Sequence, residues 1–243
     1  PVTTVTIVCL VLSVAMFAGI FTYLVTEAVN QTRIRLEERS QAAAQIVSTN
    51  AGWLAEVAQQ TLRRIDAALG DDMSSDPDSL NTAIEGLPAD IDIYIIDANA
   101  RTVFSTVPGA EAVDVSDREY FTALQAGEPF YTSGLLVSRI NGENIFVFSK
   151  RVEREGDFAG AIMVSFTDSV LQPFWQSLDM DDLSTVSLIR RDGPLMARYP
   201  PPDGPVDFSN HPLITEHLAQ SEFGTYFSTT SPVYGVARVV SYR

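Results

Sequence analysis

Chemistry in a protein starts from side chains that move protons, attack electrophiles or hold metals, and this 243-residue chain has few of them. Its two histidines, His211 and His217, stand six apart on a predicted helix, so they do not share a face and make no metal pair. Cys9 is the one cysteine, and a single thiol builds neither a disulfide framework nor a paired-cysteine zinc site. No G-x-S-x-G elbow, H-E-x-x-H pair or phosphate loop occurs, and no histidine lies between residues 71 and 168 to serve a nucleophile. The paired acids Asp71-Asp72 and Asp181-Asp182 sit beside helix ends and turns, where solvated carboxylates are expected. The expectation is a protein without catalytic residues, metal or cofactor. Sixteen basic against thirty-one acidic side chains give a formal charge of -15, a surface that repels nucleic acid.

The elements that would position any functional residue begin with an apolar run. No charge occurs from Pro1 to Thr26, and Ile7–Val25 is long enough to cross a bilayer core of about 30 Å. Tyr23 falls at headgroup level. The run is longer than a cleaved leader's apolar region and leads into a helical pattern, which favours a retained anchor over residues 1–26. Arg33, Arg35 and Arg39 follow it, and charge alone therefore argues against an outside location for the rest. Apolar residues at Leu36, Ala43, Val47, Leu54, Ala58, Leu62, Ile65 and Leu69 mark one helix face, giving a stalk over residues 27–70 that stops at Gly70. That stripe must pack on the chain's own sheet, on a second copy in a homodimer, or on both along different parts.

Beyond residue 88 the period changes from helix to strand. Strands are predicted at Asp90–Ile96, Thr102–Thr106, Phe130–Ser138, Ile145–Val152 and Phe158–Thr167, with an Asn141-Gly142 turn between the third and fourth. Ser116 and Glu119 are spaced as a capping box for a helix through Asp117–Gln125. The same order starts again with strands at Thr185–Arg190 and Leu195–Tyr199, a helix at His211–Gln220, and strands at Gly224–Thr230 and Val236–Tyr242. This repeat of architecture, with the second copy short of its last strand, predicts an α+β fold of two tandem antiparallel sheets with flanking helices.

At this point the chain resembles the double Cache family, PAS-like periplasmic sensor domains of bacterial membrane receptors. The resemblance rests on the anchor and long helix, then Asp117–Phe121 (DREYF), Phe148–Val152 (FSKRV), Phe158–Phe166, Leu188–Pro200 and Ala237–Arg243, in that order. It implies a membrane-distal subdomain over residues 71–168 and an incomplete membrane-proximal one over 169–243. It also implies a bacterial inner-membrane location with residues 27–243 outside the cytoplasm. The output module would be that of a histidine kinase, diguanylate cyclase or chemoreceptor.

In ligand-binding members of that family an Arg two residues before an aromatic pair holds the ligand's carboxylate, which matches Arg118 with Tyr120 and Phe121. The guanidinium fork suits that task. Amino-acid-sensing members also carry an acid on the last distal strand, and the matching position here is Ser165; their tyrosine before the arginine is replaced by Val113. An ammonium would therefore lack its counter-charge, so the implied ligand is a small carboxylate without an amine. Strand alternation adds Tyr131 and Ser133 on one strand, and Phe148 and Lys150 on the next, as pocket candidates. Alternation alone leaves open which face meets the pocket, and Lys150 is either a second anion contact or an edge charge. The competing function is a ligand-free dimerisation module that answers to a partner protein or the membrane. A polar cavity beside Arg118 favours sensing, whereas a dry, filled distal core favours the module.

Overall fold

The computed structural model describes residues 2–71, 73, 77–87, 91–178, 180, 181, 183–202, 206–228 and 237–243. One helix, α1 (Val2–Ala68), is unbroken for 67 residues, as the absence of proline and the two isolated glycines allow. Its first turns are apolar and exposed on all sides, long and apolar enough to cross a membrane. The hydroxyls of Thr6, Ser13, Thr22 and Thr26 donate to the carbonyls four residues back, which satisfies them within the helix as a medium without water requires.

Two compact units follow from the contacts. The first comprises Pro1–Ser48 with Ser221–Arg243. In it, β9 (Gly224–Ser228) and β10 (Arg238–Tyr242) form an antiparallel ladder. Gln41 donates to Thr225, and the Arg33 guanidinium lies 4.2 Å from the Phe227 ring centroid, so this ladder rests on α1.

The second unit is Thr49–Gln220. After α2 (Pro77–Ile84) it contains β1 (Ile91–Asp97), β2 (Thr102–Ser105), α3 (Glu119–Gln125), β3 (Phe130–Thr132), β4 (Leu136–Val137), β5 (Asn144–Arg154) and β6 (Asp157–Thr167). These strands make one antiparallel sheet in the order β2-β1-β6-β5-β3, with β4 also paired to β5. The long strands β5 and β6 meet at a two-residue turn, Glu155-Gly156, both in the left-handed region. Gly160 is obligatory: a Cβ there would lie 2.1 Å from the Ile96 carbonyl oxygen.

Alternation sorts the sheet into two faces. Phe146, Phe148 and Phe166 stack together on one, with ring centroids 5.4–6.0 Å apart. The end of α1 covers that face, burying Leu54, Ala58, Leu62, Ile65 and Leu69. There Asp66 accepts from Lys150 at 2.6 Å and Arg154 at 3.1 Å, and Arg154 also donates to the carbonyls of Asp66, Leu69 and Gly70 at the helix end. The lower part of the predicted stripe is thus core of this chain. The other face holds Tyr94, Ile96, Ile145, Val147, Ala161 and Met163 under α3.

The rest of this unit is α4 (Asp168–Gln176), the ladder of β7 (Val186–Ile189) with β8 (Leu195–Tyr199), a π-helical turn at Leu213–His217 and the short α5 (Leu218–Gln220). Among the described residues the second set of predicted strands forms two separate two-stranded ladders. The predicted positions 90, 229, 230 and 236, and with them Asp72 and Asp182, lie outside the described residues. Neither α2 nor α4 was expected from sequence. The third predicted strand is split: Ser133–Leu135 leave the sheet, and the Leu135 N–H donates to the Leu195 carbonyl at 2.6 Å.

Candidate functional site

The residues at Asp117–Phe121 do not form the predicted capping box. α3 begins at Glu119 with Arg118 as its N-cap, without a side-chain cap bond, and the Ser116 N–H instead donates to Asp114. The chain reaches the helix through a tight turn, Arg118 N–H to Val115 O at 3.0 Å, which sets Arg118 and Tyr120 on the side of the sheet. With seven residues, α3 is too short for its dipole to contribute an anion site.

Between α3, the loop 133–143 and the sheet lies a cavity of about 30 Å³, room for a water or two. Its polar lining is Arg118, Arg139, Tyr94, Tyr120, Thr102 and Ser138, and its apolar wall includes Val113, Val115 and Met163. Among the described residues, no carboxylate side chain lines it. Arg118 donates to the Val137 carbonyl at 2.8 Å. Arg139 forks onto Asp117, Nη1 to Oδ1 at 2.7 Å and Nη2 to Oδ2 at 2.6 Å, which holds the Asp117 carboxyl below the usual aspartate range. Burial pushes the Tyr120 phenol up to about 12, against the opposing pull of Arg118. Burial, reinforced by the nearby charge of Asp92, raises Tyr94 further, and its phenol also bonds Ser138. Both phenols therefore stay protonated; Tyr94 donates to the Asp92 carboxylate, whereas the Tyr120 hydroxyl is available as a donor beside the two guanidiniums, an arrangement that suits an anion.

Of the residues singled out from sequence, Arg118 and Tyr120 line this cavity. Phe121 is buried beneath α3, edge-on to Phe158 at 5.5 Å. Phe148 and Lys150 stand on the opposite face of the sheet, Phe148 in the aromatic cluster against α1 and Lys150 paired with Asp66, so neither reaches the cavity. The physical reason is the two-residue period of β5, which sends Ile145 and Val147 one way and Phe146, Phe148 and Lys150 the other. Tyr131 lies toward α3, but its hydroxyl accepts from Arg190 at 2.6 Å, away from the cavity. The Ser133 hydroxyl is taken up by backbone, donating to Gly134 O and accepting from the Val147 N–H of β5. Ser165 is on the cavity side of β6, two residues beyond Met163 and opposite Asp92 and Val147, with its buried hydroxyl unpartnered among the described residues.

Sequence reasoning missed Arg139, Tyr94 and Ser138. Tyr94 carried a signal, since it shares a strand face with Asp92 and Ile96. Arg139 carried little, because a polar residue beside Asn141-Gly142 reads as solvated turn. Among the described residues, no three His, Cys, Asp or Glu side chains converge on a metal position.

Residues 168–243 match the dCache_1-like family, a histidine kinase sensor domain. The extracellular domain of rpHK1S-Z16, a candidate histidine kinase, superposes with a TM-score of 0.65 at 24% identity, over 89% of this chain and 90% of that one. The ligand-binding domain of the Pseudomonas fluorescens chemoreceptor CtaA, in complex with L-valine, superposes at 0.53 with 16% identity, over 88% and 98%. The corresponding domain of the Pseudomonas aeruginosa amino-acid chemoreceptor PctC, in complex with GABA, gives 0.54 and 17%, over 87% and 97%. No curated protein sequence matches the chain. The chain has the fold of the Cache ligand-binding domains of histidine kinases and chemoreceptors, and its residues 168–243 match the dCache_1-like sensor domain itself.

Proposed function

We propose that this chain is the anchor and extracytoplasmic sensing region of a bacterial transmembrane receptor, and that it binds a small carboxylate in the cavity beneath α3. The observation that carries this is the polar cavity beside Arg118, where a ligand-free module would have filled core. In this reading Arg118 exchanges the Val137 carbonyl for the ligand's carboxylate, and Tyr120 donates beside it. A charge-assisted pair to an ion outcompetes a bond to a neutral carbonyl. L-valine and GABA, held by the two chemoreceptor domains, each carry a carboxylate. Among the described residues no acid lines the cavity, which supports a ligand without an amine. At about 30 Å³ the cavity is smaller than such a ligand, and in this reading the loop 133–143 lifts to admit it.

The protein acts by binding, without catalysis, and the stalks of two copies pair. Support for pairing comes from Leu36, Ile46 and Trp53, which remain exposed on α1 beyond its apolar segment. Residues 1–26 sit in the inner membrane and the remainder outside the cytoplasm.

The test is a thermal-shift screen of monocarboxylates, dicarboxylates and amino acids on the full chain in nanodiscs, wild type and Arg118→Ala. A carboxylate at one hundred times its dissociation constant should stabilise the fold by about 2.7 kcal/mol. Arg118→Ala should abolish that shift with little change in the unliganded melt. A larger shift from an amino acid, removed by Asp92→Asn, would reject the amine-free ligand. Equal binding by Arg118→Ala would reject the site.

A further inference from the structure

Two arginines line the cavity, and they are held differently. Arg118 bonds one neutral carbonyl, whereas Arg139 is fully engaged, its fork on Asp117 and Nη1 also on the Asp114 carbonyl at 2.5 Å. Arg139 stands on the loop 138–143 that closes β4 onto β5, and Asp117 stands just before α3, so their ion pair ties the two walls together. Both partners are open to water, Arg139 by 37% and Asp117 by 64%. An ion pair this exposed contributes little to stability and exchanges readily. The cavity has room for a water or two, so a larger ligand must spread its walls, and spreading them strains this bond. Opening it frees a guanidinium that lines the cavity, with Ser138 next to it and, among the described residues, no lining carboxylate to take it up.

We infer that Arg139 is a second anion-binding residue of the same cavity, masked by Asp117 until a ligand arrives, and that the ligand class is a short dicarboxylate. One carboxylate meets Arg118, the other replaces Asp117 on Arg139. Asp117 acts as an internal competitor: its carboxylate offers the same bidentate geometry as the ligand's second group and is displaced only by an acid already anchored at Arg118. A monocarboxylate has no second group for this exchange, so it must break the latch without replacing it. The inference rests on the carboxylate reading of the cavity and adds the residue that selects among carboxylates.

The experiment measures binding of butyrate and succinate, two four-carbon acids, to the full chain in nanodiscs by calorimetry, in wild type, Arg139→Gln, Asp117→Asn and Arg118→Ala. Succinate should bind wild type at least about tenfold more tightly than butyrate, the worth of one charged hydrogen-bonded contact. Arg139→Gln should erase that preference while leaving butyrate binding nearly intact. Asp117→Asn, which removes the competitor and keeps Arg139, should tighten succinate several-fold. Unchanged succinate preference in Arg139→Gln, or weaker succinate binding in Asp117→Asn, overturns the inference. Loss of both acids in Arg118→Ala together with equal wild-type affinities overturns it too, but leaves the carboxylate site standing. Failure of both acids to bind wild type removes the site and the inference together. Asp117→Asn opens the latch without touching Arg139, so a folding defect in Arg139→Gln leaves the question decidable.

Discussion

Asp117 is ionised and held so by Arg139, and this has a pH signature. Its folded-state value lies below the unfolded one, so the bridge's contribution is complete above the ordinary aspartate value of about 3.9 and is lost as pH falls through the lower folded value. The melting difference between wild type and Asp117→Asn should be constant at neutral pH and vanish in acid below that range. A difference that grows on acidification would contradict the assignment. Gly160 gives a second residue-level expectation. Gly160→Ala must push β6 from β1, because a Cβ would meet the Ile96 carbonyl oxygen, and should cost about 3 kcal/mol in urea melts. The residues themselves were unequally legible in the sequence. Arg118 and Tyr120 announce themselves by their order before a helix, but Lys150 and Phe148 sit in a strand whose alternation names two faces without saying which is covered. Arg139 depends on a loop closing over another element, which no local pattern encodes.

At the level of elements, the end of α1 is both packed and capped. Leu62 is fully buried against the sheet, and Leu62→Ala should lose about 3 kcal/mol through the cavity left behind. Arg154 donates to the carbonyls of Asp66, Leu69 and Gly70 at the helix end and to the Asp66 carboxylate, so Arg154→Ala should cost about 2 kcal/mol. Amide exchange at residues 66–70 should rise with it. Single cysteines placed at Leu36, Ile46 and Trp53 in membranes should crosslink between copies, and those at Ala58 and Leu62, covered by the chain's own sheet, should not. The reverse pattern would reject the proposed pairing of stalks along this face. The long helix and the strand pairs were readable from periods of 3.6 and 2. The short helices α2 and α4 were not, and the break at Ser133–Leu135 was invisible, because it exists to meet Leu195 sixty residues away.

Across the second unit as a whole, the sheet and the β7–β8 ladder join at one polar cluster. The Arg190 guanidinium lies 2.6 Å from the Tyr131 hydroxyl, 3.0 Å from the Thr132 carbonyl and 3.4 Å from Glu119, and it is bound by Asp192. Hydrogen bonding to the Asp192 carboxylate raises the Arg190 guanidinium well above its ordinary value, so the charge is permanent. Glu119 sits between Arg118 and Tyr120 in sequence, so the residue after one cavity arginine reports to the ladder. Arg190→Gln should therefore leave ligand binding unchanged while weakening the response of the intact receptor, read as output activity against ligand concentration. Parallel loss of binding would show that Arg190 only holds the fold together.

The two ends of α3 are held unequally. At its C-terminal end, Arg151 donates to the carbonyls of Leu124 and Gln125 at 2.6 and 3.3 Å, whereas no side chain caps its N-terminal end. A seven-residue rod is about 10 Å long, so a 1 Å push beside Arg118 turns it by about 6° around Arg151. Torque then counts for more than occupancy. An acid lodged close to that pivot turns the rod very little however tightly it binds, and with no preference between the two tilts it moves no equilibrium. Such molecules would be antagonists that share the agonist's cavity, and their potency would follow affinity while their silence followed position.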